Sequence, residues 1–154
     1  MIYCMSDIHG EMDRFQAMLN EINFGPEDTL YILGDVIDRN PDGIRILREI
    51  MIRPNMQMLL GTHELMMLQS LYYPSDEPDD RIWKRPKPDD PPYFEDRTVI
   101  VGHTPTCYMS GDKENPFRIW HGNGLIDIDC GCGNKTELRR LACLRLDDLK
   151  EFYI

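Results

Sequence analysis

An α/β fold is predicted for this chain of 154 residues, with strands and helices alternating first and short strands dominating later. Three observations predict it. Apolar runs of strand length at 2–6, 29–33 and 56–60 alternate with stretches whose apolar residues recur at helical spacing. Beyond Arg97 the chain turns into short β-rich runs split by Gly, Asn and Asp. With 42% hydrophobic residues, a chain of this size can build one core, and a single domain over 1–154 is expected.

The elements follow in order. After the strand at 2–6, residues 10–23 place Met12, Phe15, Met18, Leu19 and Ile22 on one helical face, and Phe24-Gly25-Pro26 ends the helix. A strand at 29–33 leads to a helix over 42–52, with Ile44, Leu47 and Ile50 as its apolar face. Asn40-Pro41 signals a turn before that helix and Pro54 lies beyond it. The strand at 56–60 precedes a third helix that starts near His63 and runs through Leu65, Met66, Leu68 and Leu71. This alternation argues for parallel βαβ units over the first 73 residues. Residues 74–97 hold six prolines and eight acidic residues, which reads as surface loop. A strand at 98–101 follows, and the runs at 118–120, 125–128, 141–146 and 151–154 read as an antiparallel meander.

Charge and cysteine usage narrow the function. A formal charge of −10, from 17 basic and 27 acidic residues, offers no basic stripe for a nucleic-acid backbone. No apolar run approaches the ~20 residues of a membrane span, and Met1 leads straight into a strand rather than a secretory signal. The five cysteines, Cys4, Cys107, Cys130, Cys132 and Cys143, are odd in number and fit reduced thiols in a cytoplasmic protein.

Chemistry-bearing side chains collect at turn positions. Asp7-Ile8-His9-Gly10, Gly34-Asp35-Val36-Ile37-Asp38-Arg39, Gly61-Thr62-His63-Glu64 and Gly102-His103-Thr104-Pro105 each follow or close a strand-like run, and Trp83-Lys84-Arg85 adds a fifth stretch. In an open α/β sheet, function gathers at the carboxyl ends of strands. Carboxylates, imidazoles and an arginine brought together there suit two divalent cations and a phosphate. Asp7 and His9 are two apart, so on an extended strand end both side chains point one way. Taken alone, that pair equally caps a helix opening near Gly10.

The four motifs occur in the order Asp-x-His-Gly, Gly-Asp-x-x-Asp-Arg, Gly-x-His-Glu and Gly-His-Thr-Pro. The chain thus resembles the calcineurin-like metallophosphoesterases, and within them the bacterial and phage serine/threonine protein phosphatases, from Met1 to about Leu146. The resemblance implies two β-sheets packed face to face, flanked by helices, and two divalent ions of the Mn2+ type, with iron or zinc as alternatives. Asp7, His9 and Asp35 correspond to ligands of the first ion. Asp35 corresponds to the bridge to the second, and His103 to a ligand of that second ion. His63 corresponds to the general acid, with Asp38 accepting its other ring N–H. Arg39 corresponds to a phosphate-gripping arginine. Arg85 resembles a second one, although a solvated charge beside Lys84 and Lys87 is an equally open reading. Cys130-Gly131-Cys132-Gly133 reads as a glycine-rich turn, since one Cys-x-Cys is poor zinc spacing. His121, before Gly122-Asn123-Gly124, reads as an edge histidine.

Two departures from the family pattern stand out. Thr62 occupies the position where the family has Asn, so a shorter hydroxyl replaces an amide oxygen at the second metal. The family also has another histidine ligand between the third helix and the 98–101 strand, whereas this chain has only His9, His63, His103 and His121. Either the second site is degenerate, or an internal stretch near 72–80 is missing. The abutment of two family blocks there favours the second. The function expected from the resemblance is that of a serine/threonine protein phosphatase, hydrolysing phosphate monoesters by in-line attack of a metal-bridging hydroxide, on a phosphorylated protein or a small phosphoester. Two alternatives are a dinucleoside polyphosphate hydrolase and a catalytically impaired phosphate- or protein-binding relative.

Overall fold

The computed structural model describes residues 1–72 and 85–154, with the side chains of 69–72 also outside the description. The stretch near 72–80 where a missing segment is expected therefore lies, beyond Tyr72, outside the described residues, as do Trp83 and Lys84.

Strands β1 (Ile2–Met5), β2 (Thr29–Ile32) and β3 (Met56–Met58) alternate with helices α1 (Met12–Glu21), α2 (Gly43–Ile52) and α3 (Thr62–Tyr72). β1 pairs with β2, and β2 with β3, in parallel, as the βαβ pattern predicts. Among the described residues, β4 (Val99–Val101), β5 (Trp120–His121), β6 (Leu125–Asp127), β7 (Ala142–Arg145) and β8 (Lys150–Tyr153) follow, with a 3-10 turn at Thr106–Tyr108. Two sheets result, ordered β3-β2-β1-β7-β8 and β4-β6-β5.

The second half is not one meander. β5 and β6 form an antiparallel pair whose other side accepts β4 in parallel, while the β7–β8 hairpin crosses over to lie antiparallel beside β1. Alternation explains this. A strand presents successive side chains to opposite faces, and β1 and β7 both have two apolar faces. Tyr3 and Met5 join Cys143 in a core with Phe15, Met18 and Ile46 of the helices. Cys4 joins Ala142 and Leu144 in a second core with Ile126 and Ile128. Strands apolar on both faces need a layer on each side, so β7 and β8 belong in the central sheet. Helices cover one face and the smaller sheet covers the other.

α1 buries Met12, Phe15, Met18 and Leu19, in line with its periodicity. α2 differs: Gly43, Ile46 and Ile50 are buried, and Ile44 is 51% exposed. Glycine at 43 lets the helix approach the backbone of Ile37 closely, which turns Ile46 rather than Ile44 inward.

Candidate metal centre and phosphate site

Every motif loop leaves the carboxyl end of a strand, and the loops run alongside one another. The Asp7 N–H donates to Gly34 O (3.1 Å), His9 N–H to Asp35 O (3.0 Å) and Gly10 N–H to Val36 O (2.8 Å), continuing the β1–β2 ladder past the sheet. Gly34 has φ 93°, and a Cβ there would stand 2.2 Å from Gly61 N, so only glycine lets these two loops pass.

The loop backbones are unusual. Eight described non-glycine residues have positive φ, and six of them are motif residues: Asp7, His9, Asp35, Asp38, Arg39 and His103. Left-handed residues of this kind cost free energy and collect at functional sites. Here they correct the extended-strand expectation for Asp7 and His9. With φ of 54° and 48°, the two converge through turn geometry rather than through strand pleat.

Asp7, His9, Asp35 and Thr62 are buried, and His103 is partly so. His9 Nδ1 lies 3.1 Å from Ile37 O. A carbonyl only accepts, so Nδ1 carries the proton and Nε2 keeps its lone pair, 3.8 Å from Asp7 Oδ1. Burial, with help from the Arg39 charge, lowers the His9 pKa to about 4, which keeps that lone pair available near neutrality. Asp7 Oδ2 accepts the His103 N–H at 3.0 Å. Asp35 Oδ1 accepts the His63 N–H at 2.9 Å, while its Oδ2 faces Thr62 Oγ1 at 3.3 Å and His103 Nδ1 at 3.4 Å. Thr62 Oγ1 and His103 Nδ1 are 2.6 Å apart. Burial pushes Asp35 up, but the His103 and His63 hydrogen bonds and the nearby imidazoles outweigh it, to about 2.

Ligand atoms of His9, Asp35 and His63 all lie within 4.8 Å of one another. Asp7 is also raised well above the ordinary carboxylate range, by burial and by the charges of Asp129 and Asp35. Buried carboxylates that repel one another, beside an imidazole with a bare nitrogen, form a donor set that fits divalent cations.

His63 is tied to its neighbour. Its Nδ1 is 2.8 Å from Asp38 Oδ2, and its ring lies edge-on to His9 with centroids 4.8 Å apart. Arg39 Nη1 donates to Asn134 Oδ1 at 3.2 Å. Arg85 is exposed, and its Nη2 is 3.4 Å from His103 Nε2, which brings it to the same crevice as Arg39. A cavity of about 570 Å3 opens here, lined among others by Arg39, Thr62, His63, Arg85, Lys87 and His103.

Two contributors had no assigned role in the sequence. Glu64, 2% exposed, accepts four backbone N–H groups: Asp35 and Gly61 at 2.9 Å on Oε2, Val36 at 2.8 Å and Ile37 at 3.1 Å on Oε1. It clasps the Gly34–Arg39 loop to the start of α3. An acidic residue in the first turn of a predicted helix was the available signal. Asn134 had none, being a polar residue after a glycine-rich turn. Cys130 and Cys132 are buried, and burial lifts both thiols, Cys132 to about 12. Gly131, at φ 72°, makes the turn between them, so they are packing residues. His121 sits on edge strand β5, 2.7 Å from Glu151 Oε1.

The chain belongs to the calcineurin-like phosphoesterase family, whose model matches residues 1–149. Family membership implies divalent metal ions. A symmetrical bis(5'-nucleosyl)-tetraphosphatase of Acidovorax sp. (strain JS42) is 41% identical over 73 residues, 46% of this chain and 26% of the relative. One of Yersinia pestis (strain Pestoides F) is 40% identical over 68 residues, 43% of this chain and 24% of that protein. The matches thus span about a quarter of the length of these curated relatives. Among solved structures, a "putative diadenosine tetraphosphatase" aligns with TM-score 0.63 and 17% identity, over 99% of this chain and 92% of that one. A cold-active protein-tyrosine phosphatase of a psychrophilic Shewanella aligns with TM-score 0.58 and 13% identity, over 99% and 79%. Both likenesses establish the fold.

The curated relatives overturn the serine/threonine protein phosphatase reading, because their names are those of tetraphosphatases. The physical reason is plain. The four motifs bear on metal and phosphate, which both substrate classes offer, so they do not decide between leaving groups. Among the described residues, no helix is long and apolar enough to cross a membrane.

Proposed function

We propose that this protein hydrolyses dinucleoside polyphosphates, splitting a bis(5'-nucleosyl) tetraphosphate at its midpoint into two nucleoside diphosphates. The observation that carries the reading is the clustering of Arg39, Arg85 and Lys87 around one cavity that also holds Thr62, His63 and His103. Three cations suit a chain of phosphates better than a single phosphate group. The names of the curated relatives point the same way.

In this reading Asp7, His9 and Asp35 would hold one divalent ion, and Asp35, His103 and Thr62 would hold a second, with Mn2+ suited to the carboxylates. Bound divalent ions supply an activated water and offset phosphate charge. The side chains do the rest. Arg39, steadied by Asn134, and Arg85 grip the phosphates. Asp38 keeps His63 aimed through Nδ1, and His63 Nε2 is the atom that delivers a proton to the departing phosphate oxygen. Water contributes OH to one phosphorus and H to the other fragment, so atoms balance without a covalent enzyme intermediate. The five cysteines, all free, support a reducing cytoplasmic setting.

The test is product analysis of the Mn2+-supplemented protein by anion-exchange chromatography. Nucleoside diphosphate as the sole nucleotide product of a dinucleoside tetraphosphate is expected, with a phosphoserine peptide hydrolysed far more slowly. A mono- plus triphosphate pattern, or no turnover, refutes it.

A further inference from the structure

The cavity beside the metal centre has an apolar part that metal and phosphate chemistry leaves unused. Met66, Pro105, Tyr108 and Met109 line it together with the cations. Tyr108 is the unusual member. Tyr108 is 75% exposed, more than any other aromatic residue whose exposure is described, yet its backbone is hydrogen-bonded within a 3-10 turn.

The fixing is visible bond by bond. Tyr108 ends the 3-10 turn Thr106–Tyr108, directly after the Gly102-His103-Thr104-Pro105 loop. Thr106, fully buried, donates its N–H to Asp129 O (2.8 Å) and its hydroxyl to Pro116 O (3.3 Å). Tyr108 N–H donates to Pro105 O (2.9 Å), Met109 N–H to Thr106 O (2.9 Å), and the Met109 side chain is buried beneath. Such a turn holds a large ring in water without help from the ring's own packing. An exposed tyrosine costs solvation free energy that a stacked partner recovers.

The geometry points to Tyr108 as the stacking platform for a nucleobase of the substrate, one nucleoside diphosphate half lying with its phosphates among Arg39, Arg85 and Lys87 and its base on the ring. This deepens the reading above and rests on it. A volume of about 570 Å3 is in the range of small-ligand cavities. Aromatic stacking is indifferent to which base is present, so the platform selects nucleotides from other phosphates without choosing among bases.

Binding calorimetry on the Mn2+-loaded protein tests this, with ADP and inorganic pyrophosphate as probes that differ only in carrying the nucleoside. Wild type is expected to bind ADP roughly tenfold or more tightly than pyrophosphate. Tyr108→Ala should abolish that preference while leaving the pyrophosphate affinity in place, and Tyr108→Phe should keep the preference. Three results overturn the proposal: no preference in wild type, a preference that survives in Tyr108→Ala, or an equal weakening for both probes. The last would mark Tyr108 as a support of the turn. If the preference and its loss are found but dinucleoside tetraphosphate is not hydrolysed, the platform stands for nucleotides and the substrate assignment fails.

Discussion

His63 Nδ1 stands 2.8 Å from Asp38 Oδ2, and Asp38 reaches it from a left-handed backbone at φ 63°. The contact engages Nδ1 and sets the ring's direction, which leaves Nε2 as the edge toward the crevice. His63 is 18% and Asp38 58% exposed at the side chain, so the pair is a wet one whose value is directional.

Its kinetic signature depends on the leaving group. Replacing His63 by Asn should reduce kcat for an alkyl phosphomonoester by about 10²–10⁴-fold, the usual range for a lost general acid. The loss should be far smaller for a dinucleoside tetraphosphate, whose departing diphosphate is already a good leaving group. Steady-state kinetics on both substrates at saturating Mn2+ decide the matter, and equal losses would remove His63 from that role.

How much of this was legible in the sequence varies residue by residue. The motif loops announced themselves because Asp, His and Gly stood at strand ends, and βαβ order followed from two short-range periodicities. The left-handed backbones of Asp7, His9 and Asp35 did not, because side chains with a Cβ rarely adopt them without tertiary support. The place of β7 and β8 was also hidden. A hairpin carries its own register, but which sheet it joins depends on Cys4 and Leu144 meeting Ile126 and Ile128 far along the chain. In α2, Ile44 and Ile46 both fit apolar periodicity, and the near approach of Gly43 to Ile37 broke the tie.

Glu64 illustrates what composition conceals, since its carboxylate is a structural clamp on the metal loop. Glu64→Ala would leave four loop amides without their acceptor, in a buried setting. A destabilisation of about 3 kcal/mol or more is expected from urea unfolding. Mn2+ affinity should fall as well, because the Asp35 N–H is among the four. Unchanged metal affinity in the folded variant would show that Asp35 is positioned by other means.

The last expectation concerns Asp127 and pH. Asp127 is fully buried on β6; its Oδ1 accepts the Asp129 N–H at 3.0 Å, and its Oδ2 has no hydrogen-bond partner among the described residues. Burial, opposed by that hydrogen bond and reinforced by the Asp7 charge, raises its pKa to about 8. Burial raises Asp129 to about 7. A carboxyl raised in the folded state holds a proton that the unfolded chain releases. The stability it contributes is complete below the unfolded pKa of about 3.9 and is lost as pH rises through the folded value. His9 acts in the opposite sense, removing stability as pH falls from about 6.5 toward about 4, so the clean window lies above pH 6.5. There the metal-free protein should lose up to about 1.4 kcal/mol per pH unit for each proton released, until about pH 8. Asp127→Asn keeps an acceptor for Asp129 N–H without the titrating proton, so its urea midpoint should vary less steeply over that window and exceed wild type at pH 8. Parallel pH profiles for the two proteins would mean that Asp127 is ionised in the fold at neutral pH, held by some partner other than the Asp129 amide.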